Sequence, residues 1–79
     1  MSLRLQRYEE AEKFLRRGIE LSPDAWRYYV KLGDTLYFKL GREEEGWPYM
    51  KRSLELKPDH RSRAKFEEAI REAEKNRVP

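Results

Sequence analysis

Two nine-residue stretches of this chain are similar to each other, and the spacing of these two copies limits what the chain can fold into. The first copy reads GIELSPDAW at residues 18–26, and the second reads SLELKPDHR at residues 53–61. Pro23 and Pro58 occupy the same place in the two copies and lie 35 residues apart. Repetition at a spacing of this size is typical of stacked supersecondary units, none of which buries its apolar face alone. The chain is therefore expected to be a short stack of repeated units.

The segment that ends in the first copy has the pattern of an amphipathic helix over residues 3–21. At about 100° per residue, its apolar side chains fall on one face and its charged side chains on the other. The apolar face comprises Tyr8, Ala11, Phe14, Leu15, Gly18, Ile19 and Leu21. Pro23 ends the helix, because proline disfavours helical geometry at the residue before it. If this face is buried, Leu21→Ala or Leu54→Ala is expected to cost about 2 to 5 kcal/mol.

Two further helices follow from the same kind of pattern. One is predicted to start after Asp24, which can cap it, and to run to about Leu40, where Gly41 ends it. The last helix is predicted over residues 60–76 and is charged on most of its surface. Its narrow apolar stripe consists of Phe66, Ala69, Ile70 and Ala73. A stripe flanked by charge is what the terminal unit of a stack needs, because its outer face meets water.

The helix between these two begins within residues 42–46, and Pro48 makes its start ambiguous. In a helix that starts at Arg42, Pro48 is interior and costs about 3 kcal/mol or a kink. In a helix that starts near Trp47, it occupies the favoured first turn. The sequence therefore favours a third helix that is kinked or starts late.

The order of residues in the second and third helices resembles the tetratricopeptide repeat, an αα-hairpin of about 34 residues with the pattern W-x-x-L-G-x-x-Y, A-x-x-x-F and P. The corresponding residues are Tyr29, Leu32, Gly33, Leu36, Gly46, Met50 and Pro58, with Tyr37 one residue late. An earlier half-copy consists of Ala11, Leu15 and Pro23. One residue is inserted near Leu40, and the pair Trp47-Pro48 departs from the family pattern.

This resemblance implies an all-α fold in which antiparallel helical hairpins stack as a short right-handed solenoid of about four helices. Within a single domain over residues 1–79, residues 3–21 form the helix of a truncated first repeat, 24–57 a complete repeat and 60–76 a capping helix. The chain looks cut from, or built after, a longer array. An engineered or excised scaffold is one interpretation of that truncation.

Residue types that perform catalysis or bind cofactors are scarce. The chain has no cysteine and one histidine, His60, which we expect to be solvated in the first turn of the last helix. No Ser-His-acid spacing, metal-ligand cluster or glycine-rich phosphate loop is recognisable. Paired glutamates are expected to be solvated charge on polar helix faces. The sequence therefore predicts a non-catalytic protein that uses neither metal nor cofactor.

Charge and hydropathy narrow the classes of partner. Charged residues make up 42% of the chain, but their signs alternate and the net charge is only +3, which favours solubility over binding of a polyanion. The stretch KPDHRSRAK at residues 57–65 concentrates four cations, so weak nucleic-acid binding through the basic C-terminal helix is an alternative. No apolar run is long enough to span a membrane, and the N-terminus lacks a secretory signal. We therefore predict a soluble, cytoplasmic protein.

The side of the second helix opposite its apolar face supplies the candidate binding residues. In the family that the chain resembles, the first helix of each hairpin lines a groove that receives peptides or extended segments of partner proteins. The resemblance places Arg27, Lys31, Asp34 and Phe38 in that groove. For Phe38, a surface position half covered by a neighbouring side chain is an equal alternative. The family's basic carboxylate clamp is not recognisable, because the asparagine partners of Lys31 are absent.

The predicted function is a protein-protein interaction module that presents this groove or face to a peptide or protein partner. Self-association into a homodimer is the alternative within the same fold. It rests on Leu3, Leu5 and Tyr8, which lie at the N-terminal end without a preceding helix to cover them.

Overall fold

The computed structural model describes residues 3–77, with side chains from residue 6 to residue 76, and within that part of the chain all regular structure is helical. The helices are α1 (Leu3–Leu21), α2 (Trp26–Asp34), α3 (Glu43–Leu56) and α4 (Arg63–Arg77), and α2 continues into a π-helical turn at Thr35–Lys39. Each helix packs against its neighbour in the chain, so the elements form a linear stack. The predicted all-α fold of stacked helical hairpins is confirmed.

The connection between α1 and α2 differs in detail from the prediction. α1 ends at Leu21, ahead of Pro23, and α2 begins at Trp26. Ala25 is the residue that precedes the first turn of α2, and its side chain makes no capping hydrogen bond. The prediction that Asp24 caps α2 is therefore wrong, and the start of α2 depends on packing instead.

The π-helical turn explains why the two sequence copies are separated by one residue more than the usual repeat. The amide of Leu40 donates to the carbonyl of Thr35 at 2.9 Å, which is one residue further back than in an α-helix. A single wide turn of this kind accommodates one extra residue inside a helix. Gly41 follows with φ 69°, a conformation that favours glycine, and ends the helix. The extra residue expected near Leu40 is thus absorbed in Thr35–Lys39.

Pro48 lies in the interior of α3 rather than at its start. α3 begins at Glu43 with Arg42 as the preceding cap residue, so of the two predicted alternatives the late start is wrong, and Pro48 is interior as the other alternative requires. Three glutamates, residues 43–45, occupy the first turn, where negative charge stabilises the positive end of the helix dipole. The side chain of Pro48 is exposed. Because proline has no amide hydrogen, α3 lacks the bond that residue 48 would donate four residues back.

The core lies between α2 and α3 and extends to α4. Leu32, Leu36 and Met50 are fully buried between the first two of these helices. α2 and α3 approach closely at Gly33, where a Cβ atom would lie 2.5 Å from the Met50 side chain and 2.9 Å from its backbone nitrogen. The cluster on the other side of α3 includes Met50, Phe66, Ala69 and Ile70. The apolar stripe predicted for the last helix is therefore the surface that attaches α4.

Polar contacts join α1 to the rest of the stack. The Glu12 carboxylate accepts hydrogen bonds from Arg42 at 2.7 Å and from Arg16 at 2.9 Å. Arg16 also donates to the Tyr49 hydroxyl at 2.7 Å, and its guanidinium lies 5.4 Å from the centre of the same ring. Two of these hydrogen bonds, Arg42 to Glu12 and Arg16 to Tyr49, join residues more than 25 positions apart in the chain. They therefore fix the position of α1.

Part of the apolar face of α1 is uncovered. Phe14 is 79% exposed and Leu21 is 72% exposed, whereas Leu15 is half-buried beside α2. The expectation that Phe14 and Leu21 lie on a buried face is wrong, because α2 covers only one side of α1. The side chains of Leu3 and Leu5, on which the homodimer alternative rested, lie outside the described side chains.

Candidate functional site

Two of the four predicted binding residues face solvent on α2. Both Arg27 and Lys31 are exposed. The Arg27 guanidinium lies 5.5 Å from the centre of the Trp26 ring, so the two side chains form a cation–π pair. Among the side chains of residues 6–76, none forms an ion pair with Lys31. These two cations are therefore available to a ligand.

The other two predicted residues contact α4. Lys65 donates to the Asp34 carboxylate at 2.9 Å, and its ammonium lies 4.2 Å from the centre of the Phe38 ring. Phe38 is 40% exposed and also packs against Tyr37, with the ring centres 4.8 Å apart. Phe38 is thus a surface residue half covered by its neighbours, as its alternative interpretation described. Lys65 thus contacts both Asp34 and Phe38.

Two adjoining depressions of about 450 and 470 Å³ lie between α1 and α2 and share Leu15 and Lys31 in their walls. We call the two together the α1–α2 groove. Its apolar lining comprises Tyr8, Ala11, Phe14, Leu15, Trp26 and Tyr28. Lys31, at the junction of the two depressions, is the charged side chain nearest the middle of the groove.

A further depression of about 390 Å³, separate from the α1–α2 groove, lies on the other side of Lys31, between α2 and the segment that leads into α4. We call it the α2–α4 groove. Its lining is more polar than that of the first groove and comprises Trp26, Val30, Lys31, Asp34, His60, Arg61, Ser62 and Lys65. Lys31 and Trp26 border both grooves, so a ligand could contact both grooves across α2.

The edges of the two grooves are positively charged. Arg27, Lys31 and Lys39 border the α1–α2 groove, and Arg61 borders the α2–α4 groove. Within residues 6–76, none of these four side chains has an ion-pair partner, whereas the one acidic residue at the edges, Asp34, is paired with Lys65. The grooves therefore combine apolar walls with unneutralised positive charge.

His60 is buried where solvation was expected. Only 5% of it is exposed, and it precedes α4, which begins at Arg63. The amide of Ser62 donates to Nδ1 at 3.1 Å, so the ring proton of the neutral form is on Nε2, 3.1 Å from the Ser53 hydroxyl oxygen. The Ser53 hydroxyl in turn donates to the Met50 carbonyl at 2.6 Å. Every polar atom of the imidazole is satisfied in the neutral form.

The aromatic rings that pack against His60 indicate that this residue has a structural role. Its ring stacks on Trp26, with centres 5.8 Å apart, and meets the edge of Phe66 at 5.4 Å. Burial lowers the pKa of the imidazole, and the neighbouring Asp59 opposes this only partly. The expectation of a solvated His60 is therefore wrong. The alignment of the two repeat copies could have indicated this burial. It places His60 at the position of Ala25, a small and half-buried residue that precedes α2.

Metal-binding clusters and membrane-spanning helices are both absent from the described part of the chain. In the described part of the chain, no group of three or more histidine, cysteine, aspartate or glutamate side chains is placed to hold a metal ion. None of the helices within residues 3–77 has both the length and the apolar character needed to cross a bilayer.

Comparison with known proteins gives one match. A model of the tetratricopeptide repeat matches residues 2–25 and 27–60, which together make up more than half of the chain. The curated proteins and the solved structures contain no match to the chain.

Proposed function

The chain belongs to the tetratricopeptide repeat family, and we propose from this premise that it is a non-catalytic module that binds an acidic, partly apolar segment of another protein. Repeats of this family generally mediate protein-protein interaction and are typically non-catalytic. The proposed binding surface consists of the α1–α2 groove and the α2–α4 groove, with Lys31 between them.

The observation that supports an acidic partner is the set of cations at the groove edges. Arg27, Lys31, Lys39 and Arg61 have no ion-pair partner among the described side chains. Exposed ion pairs contribute only about 0.2 to 1 kcal/mol each, so burial in the apolar walls supplies most of the affinity. The charges select the sign of the partner and accelerate its association.

The nucleic-acid alternative has less support. Three of the four cations in residues 57–65 are in ion pairs, which are Lys57 with Asp59, Arg63 with Glu67 and Lys65 with Asp34. Binding to a phosphate backbone depends on free cations along a continuous path. In this segment only Arg61 is without a pair among the described side chains.

The test is affinity capture from a lysate by three immobilised proteins: the unmodified chain, Lys31→Glu and Arg71→Glu. Arg71 is an exposed cation of α4 outside both grooves, so its variant is a control for the change in net charge. We expect the unmodified chain and the control to retain the same proteins and Lys31→Glu to lose them. Retention should also fall as salt increases, because salt screens exposed charges.

Circular dichroism at equal concentration must first show that the three proteins are equally helical. Equal retention by all three would contradict the groove assignment. Binding of labelled single-stranded or duplex DNA at low salt, with a steep loss as salt increases, would favour the nucleic-acid alternative instead.

A further inference from the structure

The outer side of α1 carries a stripe of exposed residues at helical spacing. Arg7, Glu10, Phe14, Arg17 and Leu21 follow one another at intervals of three and four residues, which places them on one line along the helix. All five are exposed, and Phe14 and Leu21 are the two most exposed large hydrophobic side chains of the described part, at 79% and 72%. We call this line the α1 stripe. Phe14 also borders the α1–α2 groove, but the other four residues lie outside both grooves, and the stripe carries both signs of charge.

The centre of the α1 stripe is complementary to its own reverse. Arg7 and Leu21 lie seven residues before and after Phe14, and Glu10 and Arg17 lie four before and three after it. In an antiparallel pair of helices with its two-fold axis at Phe14, the two phenylalanines meet. Glu10 of each copy then lies opposite Arg17 of the other, within about 1.5 Å along the axis. A parallel pair would instead oppose Glu10 to Glu10 and Arg17 to Arg17.

We propose that two copies of this chain pair through the α1 stripe in the antiparallel arrangement. A shallow depression of about 320 Å³ beside Phe14 is lined by Glu10, Lys13 and Arg17, so the ring of the second copy has a place to lie. Arg17 already contacts Glu20 of its own helix at 3.3 Å, but both side chains are exposed there. A guanidinium has five donors and can hold Glu20 and the Glu10 of the second copy together.

A second copy fits this surface better than an unrelated partner, because reversal of the stripe about Phe14 exchanges Glu10 with the oppositely charged Arg17. The same two-fold axis brings Arg7 opposite Leu21, so the arrangement contains two intermolecular ion pairs, both between Glu10 and Arg17. A single helix pair buries less than a standard interface, so we expect a dissociation constant on the order of 100 µM. The dimer is therefore expected to be populated only at high protein concentration.

Charge-reversal variants test this arrangement by sedimentation over a series from micromolar to near-millimolar concentration. The unmodified chain should dimerise in this range. Glu10→Arg alone and Arg17→Glu alone should each pair about tenfold more weakly or worse, because each opposes like charges in its own dimer. An equimolar mixture of the two variants should dimerise again, because each supplies the charge that the other lacks.

A matched control mixture replaces Arg17→Glu by Arg71→Glu, which has the same net charge and an unchanged α1 stripe. In this mixture Arg71→Glu should pair with itself, as the unmodified chain does, and Glu10→Arg should remain mostly monomeric, because its arginine at position 10 meets Arg17 of either partner. Phe14→Gln should weaken pairing without loss of helicity, since Phe14 is exposed. A monomeric unmodified chain throughout the series would overturn the proposal. Dimerisation that both charge variants leave unchanged, or a mixture that fails to recover pairing, would overturn it as well.

Discussion

Gly33 is the residue at which the absence of a side chain matters most for packing. A Cβ atom there would approach the Met50 side chain to 2.5 Å and its backbone nitrogen to 2.9 Å, so α2 or α3 would have to move. At Gly18, by contrast, a Cβ atom would meet only the Tyr28 ring, at 3.0 Å, and Tyr28 is exposed and able to turn. Alanine variants at these two glycines therefore distinguish the effect of close helix packing on stability from the effect of helix propensity.

We expect Gly33→Ala to lower the free energy of unfolding by about 1 to 3 kcal/mol, the usual cost of overpacking a core. Gly18→Ala should change it little or raise it, because alanine is favoured in a helix by about 1 kcal/mol. Urea unfolding followed by circular dichroism measures both. A smaller loss for Gly33→Ala than for Gly18→Ala would show that the close approach of α2 and α3 is wrong.

The leucines of α1 and α2 give a second comparison at this scale. Leu36 is fully buried and Leu21 is 72% exposed. Leu36→Ala should therefore lower the free energy of unfolding by about 2 to 5 kcal/mol, and Leu21→Ala by no more than about 0.5 kcal/mol. Thermal unfolding of the two variants distinguishes these values. Equal losses would mean that a partner or a second copy covers Leu21 under the conditions of the measurement.

Single residues also show which positions could be placed correctly from the sequence alone. The helical pattern placed Phe38 opposite the core face, and it is on the surface. The same pattern placed Phe14 and Leu21 on an apolar face, but whether that face is buried depends on a neighbouring helix, which no local pattern supplies. His60 was missed for a related reason, because its partners Ser53 and Trp26 are brought together only by the tertiary fold.

At the scale of the element, the sequence predicted the number of helices and most of their ends. It also showed one extra residue near Leu40. An insertion of one residue fits either a longer loop or a π-helical turn, and both leave the same spacing in the sequence. Pro48 presented the same ambiguity, because a late start avoids its cost whereas the tertiary fold places it inside α3. Packing of the earlier turns of α3 against α2 decides between these options.

Pro48 should therefore destabilise α3, and its removal should stabilise the protein. Pro48→Ala restores an amide donor to the helix interior and should raise the free energy of unfolding by about 1 to 3 kcal/mol. Pro58→Ala is the matched control, because Pro58 lies in the connection between α3 and α4. There the change should lower stability by up to about 1 kcal/mol, since proline restricts the unfolded chain. The midpoint of thermal unfolding should therefore rise in Pro48→Ala and fall in Pro58→Ala.

A loss of stability in Pro48→Ala would contradict the placement of Pro48 in a regular helix. It would indicate that the fold depends on the local backbone that proline imposes. Equal shifts in the two variants would show a general effect of proline on the unfolded chain rather than an effect on α3.

The whole molecule is a stack whose two ends are attached by different chemistry. α1 and α4 do not pack against each other within residues 3–77, so each is attached only through the middle helices. α4 depends on an apolar cluster next to the neutral, buried His60. α1 depends on the ionised Glu12 and its two arginines. Because one histidine and one carboxylate govern the two ends, acid should loosen them at different pH values.

The sign of each effect follows from the pKa in the folded state. Burial lowers the pKa of His60 below about 6.5, so as the pH falls through that value the unfolded chain takes up a proton first and stability is lost. For Glu12, burial alone would raise the pKa, but the hydrogen bonds and charges of Arg42 and Arg16 outweigh it and lower the pKa. Its contribution is complete above about 4.5 and is lost as the pH falls below that value.

We therefore expect α4 to loosen first as the pH falls below about 6.5, and α1 to loosen only below about 4.5. Amide hydrogen exchange read by mass spectrometry, corrected for the intrinsic pH dependence of exchange, locates each step. His60→Gln should abolish the first step, because an amide replaces the titrating ring, and Glu12→Gln should abolish the second. Simultaneous loss of protection in both helices at one pH would show that the stack unfolds as a single unit, and that neither end has a stability of its own.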